Sequence, residues 1–150
     1  MIQGMGHAEF GKLLTRMTDA ICACDIDGAT ACFAADGVYH DGFYGEFRGR
    51  AEIARMLREY FYGDARDFEW RVLDPVCDGR IGYARYEFSY QPTMVGAPAH
   101  RVGFPGISRC ELEGGLIRHY GEIFERAPVL AKLGFADARI LKSVRRWAGG

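Results

Sequence analysis

Two short passages of the chain gather residues able to move protons. DGVYHDG sets His40 beside Asp41, and HYGEIFE carries His119, Tyr120 and Glu122. A carboxylate suits general acid or base work because partial burial disfavours its charged form and lifts its pKa toward the working range. Histidine titrates near neutrality unaided, and a tyrosine hydroxyl donates to a carbonyl oxygen. Neighbours on an extended strand point to opposite sides, so only one of His40 and Asp41 faces a given pocket comfortably. If Asp41 is turned out, His40 inherits its role. The same alternation turns His119 outward if Tyr120 and Glu122 point inward. Plainer readings stand beside these. Aspartate before glycine often caps a turn through nearby amides, and Glu122 can pair with an arginine such as Arg109 or Arg85.

Other chemistries find less support. His40, His100 and His119 form no HxH or HxxxH pair and the strand pattern gives no compact three-ligand set, so no metal site is expected. No cofactor is expected either. The five cysteines, Cys22, Cys24, Cys32, Cys77 and Cys110, are odd in number and lack CxxC spacing, which reads as reduced thiols in a cytoplasmic protein. Charge is balanced at a net -1, with 19 basic and 20 acidic residues, so neither nucleic acid nor a membrane surface is an expected partner. The N-terminus lacks a signal-peptide pattern, and no stretch approaches the roughly 18 apolar residues of a membrane span. At 150 residues, 49% hydrophobic, the chain is expected to form a single domain with one sizeable core.

The elements that would position these side chains follow from periodicity. Phe10, Leu13, Leu14, Met17, Ile21 and Cys24 recur at helical spacing and predict a long helix over 8–24. A short second helix, with Asp27 as acceptor for its free amides and Ala29, Cys32 and Phe33 turned inward, is expected to end near Asp36-Gly37. Residues 38–47 are aromatic and Gly-punctuated, which predicts a strand, a turn and a second extended piece. Ile53, Met56, Leu57, Tyr60 and Phe61 form one face of a third helix over 50–62. From Asp67 to Arg126, breaks at Asp78-Gly79, Pro92–Pro98 and Glu113–Gly115 divide the chain into four long antiparallel strands. Alternation puts Tyr83, Arg85 and Glu87 on one face and Tyr86, Phe88 and Tyr90 on the other, without saying which looks inward. Arg85 and Arg109 can pair with Glu87 or Glu111 on an outer face. After Pro128 two helical pieces broken at Gly134 are predicted, with Ile140, Leu141, Val144 and Trp147 on one stripe and Arg139, Lys142, Arg145 and Arg146 solvated beside it.

Three helices followed by a long antiparallel sheet let the sheet wrap the first helix and leave one end of a cone open. The passage CFAADGVYHDGFYGEFRGRAEIARML resembles the helix-2, first-strand, helix-3 segment of SnoaL-like proteins, in the nuclear transport factor 2 superfamily. EGGLIRHYGEIFER resembles their final strand. The resemblance covers most of residues 8–126, with residues 127–148 as a helical extension. It implies an α+β cystatin-like cone with an internal pocket. The superfamily includes polyketide cyclases, ketosteroid isomerase, epoxide hydrolases and non-enzymatic domains, so function rests on the site.

By that resemblance, Asp41 matches the proton-abstracting carboxylate after helix 2 of ketosteroid isomerase, and Glu122 matches the first acid of the family's final strand. The isomerase's oxyanion donors fall on Met17 and Ile107, which cannot donate, so they are expected only as apolar pocket wall. The arginine of limonene epoxide hydrolase-like members falls on Tyr120, which cannot clamp two carboxylates as a guanidinium does. Neither of those two activities is therefore expected. Tyr39, Tyr60 and Trp70, with Tyr86, Phe88, Tyr90 and Phe124, fall on elements that would line the cone, favouring a flat, apolar or aromatic ligand. The expected function is a cofactor-independent acid/base enzyme of cyclase, isomerase or dehydratase type acting on an apolar carbonyl or hydroxylated substrate. Asp41 is its base and His40 or Tyr120 a donor; the alternative is a non-catalytic ligand-binding or protein-assembly domain. A homodimer through the exposed outer sheet face is also expected.

Overall fold

The computed structural model describes residues 4–149. The stripe Phe10, Leu13, Leu14, Met17 and Ile21 is buried along helix α1 (His7–Cys22). That helix stops two residues short of the expected end, because Cys24 takes a left-handed backbone conformation at φ 57° and is exposed. Helix α2 (Ile26–Thr30) is capped by Asp25, whose Oδ1 accepts the Gly28 amide at 2.9 Å, not by Asp27. It ends at Thr30 because Phe33 is already paired to the sheet: strand β1 (Phe33–Asp41) takes up residues the local pattern assigned to the helix. A hydrogen-bonded ladder outweighs the weak propensity of one short helix.

Strand β2 (Gly45–Arg48) folds back on β1. The third helix begins as α3 (Arg50–Met56), widens into a π turn over Leu57–Phe61 and closes with α4 (Tyr62–Asp64). Four strands follow as the punctuation predicted: β3 (Ala65–Cys77), β4 (Ile81–Pro92), β5 (Val102–Glu113) and β6 (Leu116–Ile123). The chain ends in α5 (Arg126–Lys132) and α6 (Asp137–Trp147), separated at Gly134, whose φ of 84° suits glycine at a helix C-terminus.

One six-stranded curved sheet has the order β2-β1-β6-β5-β4-β3. All neighbours run antiparallel except β1 and β6, which pair in parallel with Val38 beside His119 and Tyr39 beside Tyr120. Tyr39 and Asp41 on β1, Trp70 on β3 and Tyr86 on β4 are buried on the inner face, toward the α1 stripe, while Tyr83, Arg85 and Glu87 are exposed on the outer one. Arg85 there pairs with Asp74 at 2.8 Å, Arg109 with Glu111 at 3.4 Å, and Glu87 with Arg71.

Helix α1 lies close on the sheet at Gly82, where a Cβ would stand 2.6 Å from Cζ of the fully buried Phe10. Phe10 has no room to yield, so Gly82→Ala should destabilise the fold by about 1–3 kcal/mol. Thermal unfolding should show a fall of at least about 3 °C; an unchanged midpoint would mean that the helix rides freely over the sheet.

Candidate functional site

A cavity of about 210 Å³ lies between the inner sheet face, the end of the third helix and α5. Its walls are aromatic. Tyr39, Trp70, Tyr86, Phe88, Tyr90 and Phe124, all expected from sequence, line it. Phe104 stacks on Phe124 with ring centroids 4.5 Å apart. Against this apolar surround stand three carboxylates, Asp41, Asp64 and Glu122.

Asp41 ends β1, buried, and its Oδ1 accepts the amides of Phe43 at 2.8 Å and Tyr44 at 3.0 Å. It thus caps the turn and lines the cavity at once, leaving Oδ2 without a backbone donor. Glu122 projects inward from β6. Its Oε1 accepts the Gly42 amide at 3.3 Å, and its Oε2 accepts the hydroxyls of Tyr120 at 3.2 Å and Tyr86 at 3.4 Å. Tyr120 Oη also lies 2.9 Å from Ser108 Oγ, a contact in which either hydroxyl can donate. No ion pair reaches Asp41 or Glu122 among the described residues. The alternative that Glu122 pairs with Arg109 or Arg85 is thereby corrected, since both arginines lie on the outer face with other partners.

Two carboxylates in an apolar wall resist simultaneous ionisation. Burial, with the Asp41 charge adding to it, pushes the Glu122 carboxyl from its ordinary 4.5 up to about 8, against the pull of its three donors. Burial raises Asp41 as well, offset by the two amides that hold its charged form. Both carboxyls therefore hold a proton more tightly than an ordinary acid, Asp41 against two short amide contacts that favour its charged form. Tyr39 and Trp70 are wall residues whose polar atoms, Tyr39 Oη and Trp70 Nε1, are buried and without a hydrogen-bond partner among the described residues. Tyr44, at the wall, donates to Asp64 at 2.5 Å.

Several expected members lie elsewhere. His40 points outward, half-exposed, 3.5 Å from Glu46, because Asp41 has taken the inward side of the strand. Ile107 is 45% exposed on the outer face, one step out of phase with inward Ser108. Met17 is wholly buried in the α1 stripe, beneath the cavity wall and not part of it. Tyr60 stacks on Tyr44 at 5.3 Å, outside the cavity, because the π turn shifts it off the inner face of the helix. Tyr120 is fully buried behind Glu122 and reaches the cavity only through that carboxyl. The expectation that no three ligand residues converge is also corrected: ligand atoms of His40, Glu46 and His119 lie within 4.8 Å of one another on the outer face. Their separation along the chain hid them, since the β1–β2 pairing sets Glu46 opposite His40 and the β1–β6 pairing is needed to add His119.

Phe43, Asp64 and Phe104 went unnoticed as wall residues, as did Leu130 and Leu133 of the C-terminal extension. The i, i+3 spacing of these leucines beside buried Val129 carried a usable signal. Arg126 fastens that extension, donating to the Gly42 carbonyl at 3.1 Å with its guanidinium 4.0 Å over the Trp147 ring.

A family model for the SnoaL-like domain matches residues 14–120, more than half of the chain. The chain belongs to the SnoaL-like domain family. No curated protein sequence matches it. Among solved structures, a protein with a ketosteroid isomerase-like fold from Catenulispora acidiphila, in complex with trimethylamine, is similar at TM-score 0.74 and 19% identity, over 83% of this chain and 94% of that one. An LEH-like epoxide hydrolase from M. tuberculosis is similar at TM-score 0.68 and 20% identity, over 92% and 96%. A protein named as a polyketide cyclase from Xanthomonas campestris is similar at TM-score 0.69 and 20% identity, over 85% and 98%. At such identities the likeness is one of fold. In this SnoaL-like chain Glu122 and the α5 wall lie just beyond the matched residues.

The elevated Glu122 carboxyl has a thermodynamic signature. A native pKa above the ordinary one means that the folded state binds the proton more tightly, so this contribution is complete below about pH 4.5 and is lost as pH rises through about 8. Asp41 acts with the same sign. Glu122→Gln cannot titrate, so its melting temperature relative to wild type should rise by about 5 °C or more between pH 5 and pH 9. A difference that stays constant across that range would show that Glu122 ionises normally.

Proposed function

We propose that this SnoaL-like chain is a cofactor-independent acid/base enzyme of isomerase, cyclase or dehydratase type, acting on a small apolar or aromatic compound that carries a carbonyl or hydroxyl oxygen. The carrying observation is that Asp41 and Glu122, from strands far apart in sequence, line one aromatic-walled cavity, Glu122 held by one amide and two phenols and Asp41 by two turn amides that leave its Oδ2 without a backbone donor. Two carboxyls held in such different hydrogen-bonding environments divide naturally into base and acid. Asp41 Oδ2 takes a proton from the carbon beside the carbonyl. The electron pair moves into the new C=C bond and the carbonyl oxygen takes the proton held by Glu122. The enol then returns that proton to Glu122 while Asp41 delivers its own either to another carbon, completing an isomerisation, or to a β-hydroxyl that leaves as water, completing a dehydration.

The ligand class follows from the walls. An engineered apolar cavity of about 150 Å³ accepts benzene, so 210 Å³ suits one or two fused rings. An unpartnered buried donor costs roughly 1–3 kcal/mol, and Tyr39 and Trp70 each offer one to an acceptor oxygen. A second reading, a non-catalytic ligand carrier, is favoured by one observation: Asp41 Oδ1 already serves as a turn cap, a purely structural task. A cytoplasmic location goes with either reading; none of the described helices is long and apolar enough to cross a membrane.

Exchange of α-protons of bicyclic aryl ketones in D2O, followed by NMR, separates the readings. Wild-type protein should accelerate exchange, and Asp41→Asn should slow it by roughly 100-fold or more. Saturable ketone binding with no acceleration would leave the carrier reading in place.

We also propose that the outer sheet face pairs with a second copy. Tyr83, Ile107 and Ile123 are exposed there, Ile107 by 45% and Ile123 by 74%, and those two isoleucines are cross-strand neighbours. Sedimentation at micromolar concentration should give a dimer that Ile123→Glu converts to a monomer. A wild-type monomer would exclude this contact.

A further inference from the structure

The outer face of the sheet holds a second cluster of titratable side chains, with its own geometry and no part in the cavity. His40 and Glu46 sit directly opposite each other on β1 and β2, with Nδ1 and Oε1 3.5 Å apart. His119 joins from β6 on the other side of β1, its ring centroid 6.3 Å from that of His40 and nearly edge-on to it. One ligand atom from each of the three lies within 4.8 Å of the other two. From these positions we propose a divalent metal site of the two-histidine, one-carboxylate kind, taking Zn²⁺ or a neighbouring borderline ion.

Two further observations favour a ligand there over a chance surface grouping. His119 Nδ1 is buried and has no hydrogen-bond partner among the described residues, which leaves it for an electrophile to satisfy. Gly121 lies next to it on the same face, and a Cβ there would come 3.4 Å from His119 Cε1 and 3.8 Å from Nδ1. Continued one step past Tyr39 and Tyr120, the parallel register sets His40 beside Gly121. With no side chain at Gly121, the His119 ring lies over that position, its centroid 6.3 Å from that of His40.

The donor set selects the metal. Imidazole nitrogens suit zinc, cobalt, nickel and copper, whereas calcium and magnesium want an all-oxygen shell. Tetrahedral zinc with bonds of about 2.0–2.1 Å keeps its ligand atoms roughly 3.4 Å apart. The His40 and Glu46 side chains are 50% and 58% exposed and turn freely, so rotation closes the distance. Three protein ligands leave a fourth position for water. The ion would tie β2, β1 and β6 together on the face opposite Asp41.

The test is calorimetric titration of the intact protein with Zn²⁺. Expected is one equivalent bound with Kd below about 100 µM, weakened at least about tenfold by His40→Ala and by His119→Ala. Cys24→Ser, which removes an exposed thiol elsewhere, leaves it unchanged. Co²⁺ in place of Zn²⁺ should give the visible absorption of a four- or five-coordinate site in wild type and lose it in His119→Ala. Because His40 is half-exposed, its variant stays folded, which circular dichroism checks. No saturable binding by about 100 µM Zn²⁺, or binding that both histidine variants retain, overturns the site.

Discussion

The parallel pairing of β1 with β6 is the constraint on which the rest depends. Parallel neighbours cannot be joined by a tight turn and need a crossover; here the crossover is everything from β2 to β5, which must curve round α1 to bring β6 home. That one ladder sets Tyr39 beside Tyr120 and so brings Glu122 within reach of the Gly42 amide, next to Asp41. On the other face the same ladder gathers His40 and His119. Both clusters of ionisable groups are products of a single register, read on its two sides.

Within the cavity, aromatic packing and electrostatics oppose each other. Stacked rings exclude water, which strengthens the core, but the same exclusion penalises every charge placed among them. The chain answers with donors at short range: two amides on Asp41, and an amide and two phenols on Glu122. These compensate without cancelling, so both carboxyls hold a proton more tightly than an ordinary acid. A guanidinium in the Tyr120 position would have held both acids ionised; a phenol lowers the cost of charge without supplying one.

Periodicity alone made the order of elements legible, because long amphipathic stretches such as Phe10 to Ile21 and the four aromatic strands carry their pattern locally. It failed where a non-local partner decided: Phe33 left α2 for the sheet, and the π turn carried Tyr60 away from the cavity. Strand alternation tied Tyr86 to Phe88 and Tyr90, but the inward direction waited on α1. Resemblance located Asp41 and Glu122, yet gave Met17 and Ile107 places in the wall that the packing denies them. The histidine cluster was invisible for a plainer reason, since a register between strands some 80 residues apart leaves no trace in spacing along one strand.

The C-terminal extension forms part of the cavity wall, yet its second helix buries no residue. Polar tethers from Arg126 to the Gly42 carbonyl and from Lys132 to the Gly103 carbonyl, with one small apolar cluster around Val129 and Leu133, fasten α5. No residue of α6 is fully buried. Segments so lightly anchored open by sub-global excursions well below the free energy of complete unfolding. A molecule held under α5 would leave on the timescale of those excursions, so its residence time is a property of the lid and not of the fit between rings.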